Sequence, residues 1–325
     1  MSSTAHKDYH DKAFPAKKLV EVYFCDDSFP LIKESLEFPM EEIHKDIDSG
    51  LGKKDELSSG NIVPRATLEI GVVKGETLID FSVGATASHL IPVCNGFKDI
   101  YVVEVNERNI NEFEKWRQNK QDAVNFSYGA KVHHKLEGGR KKAVVTLLTN
   151  YTSSDSRSDR HKRSFLVTDI QHLRALHGTA SEKREAWHMK EDKARQAIKG
   201  VIQWDISNDD QVPVDLPQAD CILSLYLLNV ISKDKDTYQR NLKKMTSRLK
   251  IGGSLLLFSP INMTFYIIDD HKFFVLPVDE DFVKQTVNNA GFVIEKVNVL
   301  PSKKSCDLVD YDSVIYLRCR KKNDV

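Results

Sequence analysis

The sequence has few cysteines and no long apolar run. Five cysteines are scattered over 325 residues without a CxxC pair, which is typical of reduced thiols in a cytosolic protein and predicts no metal site. No stretch of about 18 apolar residues occurs, so no membrane span is predicted. Residues 1–18 also lack the apolar core of a signal peptide. We therefore expect a cytoplasmic protein with no membrane partner.

The sequence also has no excess of charge of either sign. Lysine plus arginine and aspartate plus glutamate both total 47, so the formal net charge is zero. This balance provides no long-range field to steer a nucleic acid or a membrane surface, and neither partner is expected. The length supports one large α/β domain or two small ones. We expect a monomer that acts on a small molecule.

Short apolar runs alternate with helical patterns from Thr77 onwards. Seven segments are predicted to be strands: residues 77–81, 99–104, 200–204, 219–224, 254–258, 292–300 and 314–320. The alternation predicts a parallel sheet with right-handed crossovers, and two final strands without a helix between them place an antiparallel pair at one edge. The predicted fold is α/β, with a Rossmann-like, seven-stranded, mostly parallel sheet and an antiparallel last strand.

Two regions depart from this alternation or interrupt it, and one helix within it has a predicted end. Residues 1–60 consist of short amphipathic pieces and a loop, whereas residues 61–325 carry the sheet pattern. A helix is predicted over residues 237–250, because two glycines follow where a left-handed residue is needed. Residues 141–180 contain a charged, low-complexity run that buries little apolar surface. We interpret it as a disordered surface insertion, and a basic contact patch or a phosphorylated switch is the alternative.

Small or polar residues follow the first predicted strand. Asp80, Ser82, Gly84 and Thr86 form a turn at the carboxyl end of that strand, which is the edge where doubly wound sheets bind ligands. Small side chains let the backbone approach a ligand closely, and free N–H groups at a helix start can face a carboxylate. The turn alone is a weak signal for a nucleotide or nucleoside.

Three further strand ends strengthen the prediction of a nucleoside. Glu104 ends the second strand about 20 residues after the turn, where a carboxylate can accept from both ribose hydroxyls. Asp205 and Ile206 follow the third strand, and an aspartate there can accept from an adenine amino group while the next N–H donates to the ring. Ser224 ends the fourth strand, next to the expected reacting centre. Other interpretations stay open, because Glu104 could be a solvated acid and Asp205 a helix cap.

Several segments resemble the nicotinamide, phenylethanolamine and indolethylamine N-methyltransferase family. The resemblance extends from Ala16 through most of the chain, apart from insertions near Ser58 and over residues 141–180. The matching segments are residues 74–80, 97–104, 109–116, 219–224 and 249–253, with shorter matches at 237–238, 272–273, 276–277 and 290–291. The resemblance implies a class I methyltransferase fold and S-adenosyl-L-methionine as the cofactor.

The resemblance also implies which residues bind the cofactor. The family's N-terminal segment folds over the cofactor, so residues 1–60 are expected to form a helical lid. Leu19 stands where a family tyrosine touches the cofactor. The residues implied as cofactor contacts are Tyr23, Phe24, Asp80, Ser82, Gly84, Thr86, Glu104, Asn109, Asp205, Ile206 and Ser224.

The residues predicted to form the pocket for the methyl acceptor differ from those of the family. Its predicted wall consists of Leu225, Asn229, Ser259 and Tyr266. Ser259 stands where nicotinamide-type members have an acid, and Val275 stands where they have a serine. A carboxylate attracts a cationic amine, and the predicted pocket lacks one unless the acid at position 269 or 270 turns inward. Ser82 replaces a usual glycine, so its Cβ is expected to crowd the ligand or strain the turn.

The predicted function is S-adenosylmethionine-dependent N-methylation of a small amine or heteroaromatic nitrogen. Such an enzyme aligns the acceptor lone pair with the methyl donor and excludes water, so no dedicated catalytic side chain is predicted. A catalytically inactive binding or regulatory protein is the alternative, which Ser82 and Leu19 favour and Glu104, Asn109 and Asp205 oppose. An NAD-dependent dehydrogenase is disfavoured by the missing GxGxxG turn and by the sheet ending.

Overall fold

The computed structural model describes residues 14–24, 30–47, 72–84, 86–138, 180–205, 212–213, 215–304 and 306–322. Residues 141–179 of the predicted insertion lie outside the described residues, as does Ile206. Across the described ranges, every helix is too short or too polar to cross a bilayer.

The described residues contain a seven-stranded sheet and a separate two-stranded hairpin. The strands are β1 Thr77–Asp80, β2 Asp99–Glu104, β3 Ile198–Gln203, β4 Ala219–Leu225, β5 Leu249–Ile261, β6 Phe265–Ile268, β7 His271–Phe274, β8 Phe292–Pro301 and β9 Ser313–Lys321. The large sheet has the order β3-β2-β1-β4-β5-β9-β8. Its first five strands pair in parallel, and β9 is antiparallel to both neighbours. This topology confirms the predicted fold.

Helices connect the parallel strands and precede the sheet. They are α1 Ala16–Phe24, α2 Phe38–Ile47, α3 Leu90–Val93, α4 Glu107–Arg117, α5 over residues 127–138, α6 Ala180–Ala197, α7 Leu227–Ile231, α8 Lys235–Thr246 and α9 Glu280–Asn289. A π-helical turn, Lys33–Glu37, runs directly into α2. The Asn106 side chain accepts from the Arg108 N–H and caps α4. A short polar side chain is suited to this position because it satisfies a backbone donor that the helix leaves open.

Two expectations for the C-terminal half are wrong. The helix predicted to reach residue 250 ends at Thr246, and β5 already begins at Leu249, which pairs with Ala219. The buried Lys321 ammonium donates to the carbonyls of Thr246 and Leu249 and satisfies the backbone where the chain changes from helix to strand. The β6–β7 hairpin was not predicted, because its strands are only four residues long.

A buried ionic cluster fixes the N-terminal helices to the edge of the sheet. Asp46, at the end of α2, accepts from the Tyr316 hydroxyl at 2.6 Å and from Arg318 Nη1 at 2.7 Å. Lys296 Nζ of β8 lies 3.2 Å from the same carboxylate. These contacts set the position of the chain that precedes α2, including the π-helical turn.

The described cysteines are free thiols, and three of them are buried in the sheet or beside it. Burial raises the pKa of Cys94 to about 12 and raises that of Cys221 well above its usual range. Because the thiolate is the reactive form, these side chains behave as apolar core residues.

Candidate active site

The turn after β1 is built around a glycine in a left-handed conformation. Gly84 has a φ of 75°, which is readily accessible only to glycine. A Cβ placed on Gly84 would lie 2.7 Å from Cδ2 of Leu19 on α1. Helix α1 therefore packs directly onto the turn, and the bare glycine backbone permits this contact.

Ser82 fits the same turn without backbone strain, contrary to the expectation from its Cβ. It is not among the residues with positive φ. Its buried hydroxyl donates to Asp80 Oδ1 at 2.5 Å and accepts from the Leu225 N–H at 3.2 Å. Asp80 also lies 3.0 Å from His89 Nε2. The hydroxyl thus joins the turn after β1 to the end of β4.

Two substitutions of Ser82 separate the effect of its hydroxyl from the effect of its Cβ. Ser82→Ala keeps the Cβ and leaves the buried Leu225 N–H without its acceptor, so we expect a loss of about 1–2 kcal/mol in unfolding free energy. Ser82→Gly is expected to lose at least as much and to bind S-adenosylhomocysteine no more tightly than Ser82→Ala. Urea unfolding and calorimetric titration measure the two quantities. Clearly tighter binding by the glycine variant would show that the Cβ does crowd the ligand.

Glu104 is buried and held in one orientation at the end of β2, with only 3% of its surface exposed. Oε1 accepts from the Val105 N–H at 2.7 Å and from the Asn106 N–H at 3.0 Å, and Oε2 accepts from Asn109 Nδ2 at 3.1 Å. The carboxylate therefore does not point into bulk water. Asn109, predicted separately as a cofactor contact, lies beside it and orients it.

Two hydroxyls at this edge of the sheet lack a hydrogen-bond partner within the described part of the chain. Thr86 and Ser224 are almost completely buried, and neither hydroxyl has a hydrogen-bond partner among the described residues. A buried polar group without a partner is costly, and a bound polar ligand can satisfy it. Together with Gly84 and Glu104, these residues fit a nucleoside cofactor. Asp205 is exposed just beyond β3.

A cavity of about 80 Å³ lies beside the turn. This volume is several times the roughly 10–15 Å³ that one water needs. Its lining includes Leu19 of α1 and Val83 of the turn, together with residues from the chain after β4 and from the β6–β7 region. The predicted residues on its surface are Tyr23, Phe24, Asn229 and Tyr266, and Val275 also lies there.

The two other residues predicted to line the methyl-acceptor pocket, Leu225 and Ser259, lie behind the cavity wall. Leu225 is buried and donates its N–H to Ser82. Ser259 donates its hydroxyl to Asn229 Oδ1 at 2.8 Å, and Asn229 Nδ2 donates to the Leu276 carbonyl at 3.0 Å. Ser259 therefore orients the amide that faces the cavity.

The residues that line the cavity include an acidic one that sequence reasoning missed. Glu34, in the π-helical turn, has 1% of its surface exposed and lines the cavity. The predicted alternatives, Asp269 and Asp270, are exposed at the tip of the β6–β7 hairpin. No sequence signal distinguishes Glu34, because it stands among other acids in a segment that resembles an ordinary amphipathic helix.

Two tyrosines join the lid to the rest of the cavity. The Tyr23 hydroxyl donates to the Ile267 carbonyl at 2.6 Å and holds α1 against β6. Tyr226, directly after β4, adopts a left-handed φ of 62° and donates its hydroxyl to the Glu34 carbonyl at 2.8 Å. Burial raises the pKa of both hydroxyls above the usual range, so they remain protonated donors.

The sheet and its binding edge define the class of protein. A Rossmann-like sheet in this order, closed by an antiparallel last strand, is that of the class I S-adenosylmethionine-dependent methyltransferases. The glycine turn and the buried acid stand at the two strand ends where such a sheet binds its ligand.

Comparison with known proteins gives the family. The model of the NNMT/PNMT/TEMT family matches residues 59–149 and 166–322, more than half of the chain, and the chain belongs to this family. Human nicotinamide N-methyltransferase is 29% identical over 250 residues, covering 77% of this chain and 78% of that protein. Indolethylamine N-methyltransferase of Oryctolagus cuniculus is 25% identical over 317 residues, covering 97% and 96%. Human phenylethanolamine N-methyltransferase is 25% identical over 261 residues, covering 78% and 77%.

Proposed function

We propose that the protein methylates the nitrogen of a small amine or N-heterocycle bound in the 80 Å³ cavity. The observation that carries this proposal is the position of the cavity. Leu19 and Val83 line it, and Leu19 also touches Gly84 of the cofactor turn. A ligand in the cavity would therefore adjoin a cofactor held at the turn.

The chain's own residues hold the cofactor by its sugar and at the edge of the turn. We assign Glu104, oriented by Asn109, to the ribose hydroxyls, and the hydroxyls of Thr86 and Ser224 to polar groups of the same molecule. S-adenosylmethionine, when bound, supplies a sulfonium methyl group that is reactive towards a nitrogen lone pair. Ser82 keeps the turn and the end of β4 at a fixed separation, which sets the approach of cofactor and acceptor.

The cavity wall performs the remaining task, which is to align the acceptor and exclude water. Its surface is largely aliphatic and aromatic, with Tyr23, Tyr226 and Tyr266 among its rings. Alignment of two reactants in a dry site accounts for much of the rate enhancement in a bimolecular transfer. The lid assigned to residues 1–60 contributes through α1, which covers the turn.

The proposal also includes the location, the oligomeric state and the partners of the protein. The buried free thiols at Cys94, Cys221 and Cys319 support a reducing, cytoplasmic location. A monomer as the active unit is also part of the proposal. The zero net charge supports a small-molecule partner and opposes a nucleic acid.

Binding and turnover of the purified protein test the proposal. Calorimetric titration with S-adenosylhomocysteine is expected to give a dissociation constant of micromolar order, in line with usual enzyme–ligand affinities. Methyl transfer from labelled S-adenosylmethionine to a panel of amines and N-heterocycles is expected to give product that S-adenosylhomocysteine suppresses. No binding at about 100 µM would refute the cofactor site. Binding without transfer to any panel member would favour the catalytically inactive alternative.

A further inference from the structure

Glu34 lines the cavity, and one oxygen of its buried carboxylate is unsatisfied. Its Oε1 receives one weak contact, from the Lys303 N–H at 3.4 Å. Its Oε2 is buried and has no hydrogen-bond partner among the described residues. No ion pair of Glu34 occurs within the described part of the chain. This differs from Asp46, whose carboxylate receives a guanidinium, an ammonium and a hydroxyl.

Such an arrangement is costly and is found mainly at functional sites. Transferring an unpaired carboxylate out of water costs several kcal/mol. Two unusual backbone features hold it in place, the π-helical turn that carries Glu34 and the left-handed Tyr226 that bonds to the Glu34 carbonyl. Both kinds of local irregularity concentrate at ligand sites. The missing partner is therefore expected to come from the ligand.

We propose that Glu34 is the specificity-determining residue of the acceptor site and selects a protonated amine over a neutral pyridine-type nitrogen. This inference rests on the proposed function and narrows it. An ammonium group presents N–H donors and a full positive charge to the carboxylate. A neutral pyridine nitrogen presents only a lone pair, so it is repelled by an ionised oxygen that also only accepts.

The other residues of the cavity suit the same ligand. Tyr23, Tyr226, Tyr266 and Tyr311 line the same cavity as Glu34, and aromatic faces attract ammonium groups. Transfer of one proton from the bound ammonium to the Glu34 carboxylate leaves a neutral amine, whose free lone pair is required for attack on a methyl group. Glu34 then carries the proton as a carboxylic acid.

Substitution by glutamine tests this role because it removes the negative charge and replaces one acceptor oxygen by an N–H donor at nearly constant size. Benzylamine and 2-phenylethylamine serve as the ammonium probes, and pyridine and 3-methylpyridine as the neutral probes. For Glu34→Gln, KM for the ammonium probes is expected to rise on the order of 10- to 100-fold, as for a lost charged hydrogen bond. Pyridine binding is expected to stay the same or improve, because the new amide N–H can donate to the ring nitrogen.

Controls distinguish this inference from the proposed function and from misfolding. The Glu34→Gln protein should bind S-adenosylhomocysteine within about 3-fold of the unmodified protein, which would also show that it is folded. Glu21→Gln, on the exposed face of α1, should change neither selectivity nor affinity. If the unmodified protein does not bind S-adenosylhomocysteine, the proposed function fails. If it binds but prefers the pyridines, or if Glu34→Gln retains the preference for amines, only the role of Glu34 is overturned.

Discussion

Replacing Glu104 by alanine is expected to weaken binding of S-adenosylhomocysteine by about 100-fold or more. Two hydrogen bonds from ribose hydroxyls to an ionised carboxylate contribute about 1.5–3 kcal/mol each, and the lower limit of their sum is already a factor of about 100. The substitution also leaves the N–H groups of Val105 and Asn106 without their acceptor. Loss of the contacts with the ribose and loosening of the loop after β2 therefore both lower the affinity for S-adenosylhomocysteine. Calorimetric titration measures the combined effect.

The contribution of the ribose contact can be separated from that of the loop by changing the ligand as well as the protein. Adenosine and 2′-deoxyadenosine, competing against labelled S-adenosylhomocysteine, should differ in affinity for the unmodified protein and differ much less for Glu104→Ala. A double-mutant comparison of this kind cancels effects on the loop alone. Glu107→Gln, an exposed acid three residues further on, is the matched control and should leave both affinities unchanged. An unchanged preference for adenosine in Glu104→Ala would place the ribose elsewhere.

The sheet could be predicted from the sequence because each strand is marked by a local apolar pattern and this pattern is repeated along the chain. Strands buried on both faces, such as β1 and β4, appear as continuous apolar runs, and the order of elements restricts the topology. The end of α8 was misplaced because Leu249 continues the helical apolar spacing. Pairing of Leu249 with Ala219 and the two contacts of Lys321 decide in favour of a strand, and these partners are distant in sequence.

The cofactor edge was also accessible from sequence, whereas the acceptor cavity was only partly so. Gly84 and Glu104 stand at fixed places relative to strands, so their positions at the ligand-binding edge could be predicted, and their contacts with the cofactor stay predictions. Glu34 depends on how the lid packs on the sheet, through Tyr226 and the backbone of the π-helical turn. The sequence around a single acid in an amphipathic segment does not indicate that packing. The strain expected at Ser82 was wrong for the same reason, since the donor and acceptor partners of its hydroxyl become visible only in three dimensions.

The anchor of the lid explains how a short N-terminal segment can hold a buried acid in place. Glu34 and Asp46 belong to one continuous helical stretch, residues 32–47. The first lines the cavity, and the second is bound to β8 and β9 at the edge of the sheet. Strong bonds at one end of a stiff segment limit the positions open to the other end. We therefore expect the ion cluster to contribute to the geometry of the methyl-acceptor site as well as to stability.

Asp46→Ala is expected to lower the unfolding free energy by about 3 kcal/mol, because removing one member of a buried ion pair leaves an uncompensated charge. The Arg318 side chain is 8% exposed and keeps only a 3.5 Å contact with Glu295, which places the loss at the lower end of the usual range. Asp99→Ala, which removes an exposed 3.7 Å pair with Lys199, is the matched control and should cost less than about 1 kcal/mol. Urea unfolding compares the two variants. Equal losses would show that the cluster does not anchor the lid, whereas a larger loss for Asp46→Ala, together with a raised KM for amines, would link the anchor to the acceptor site.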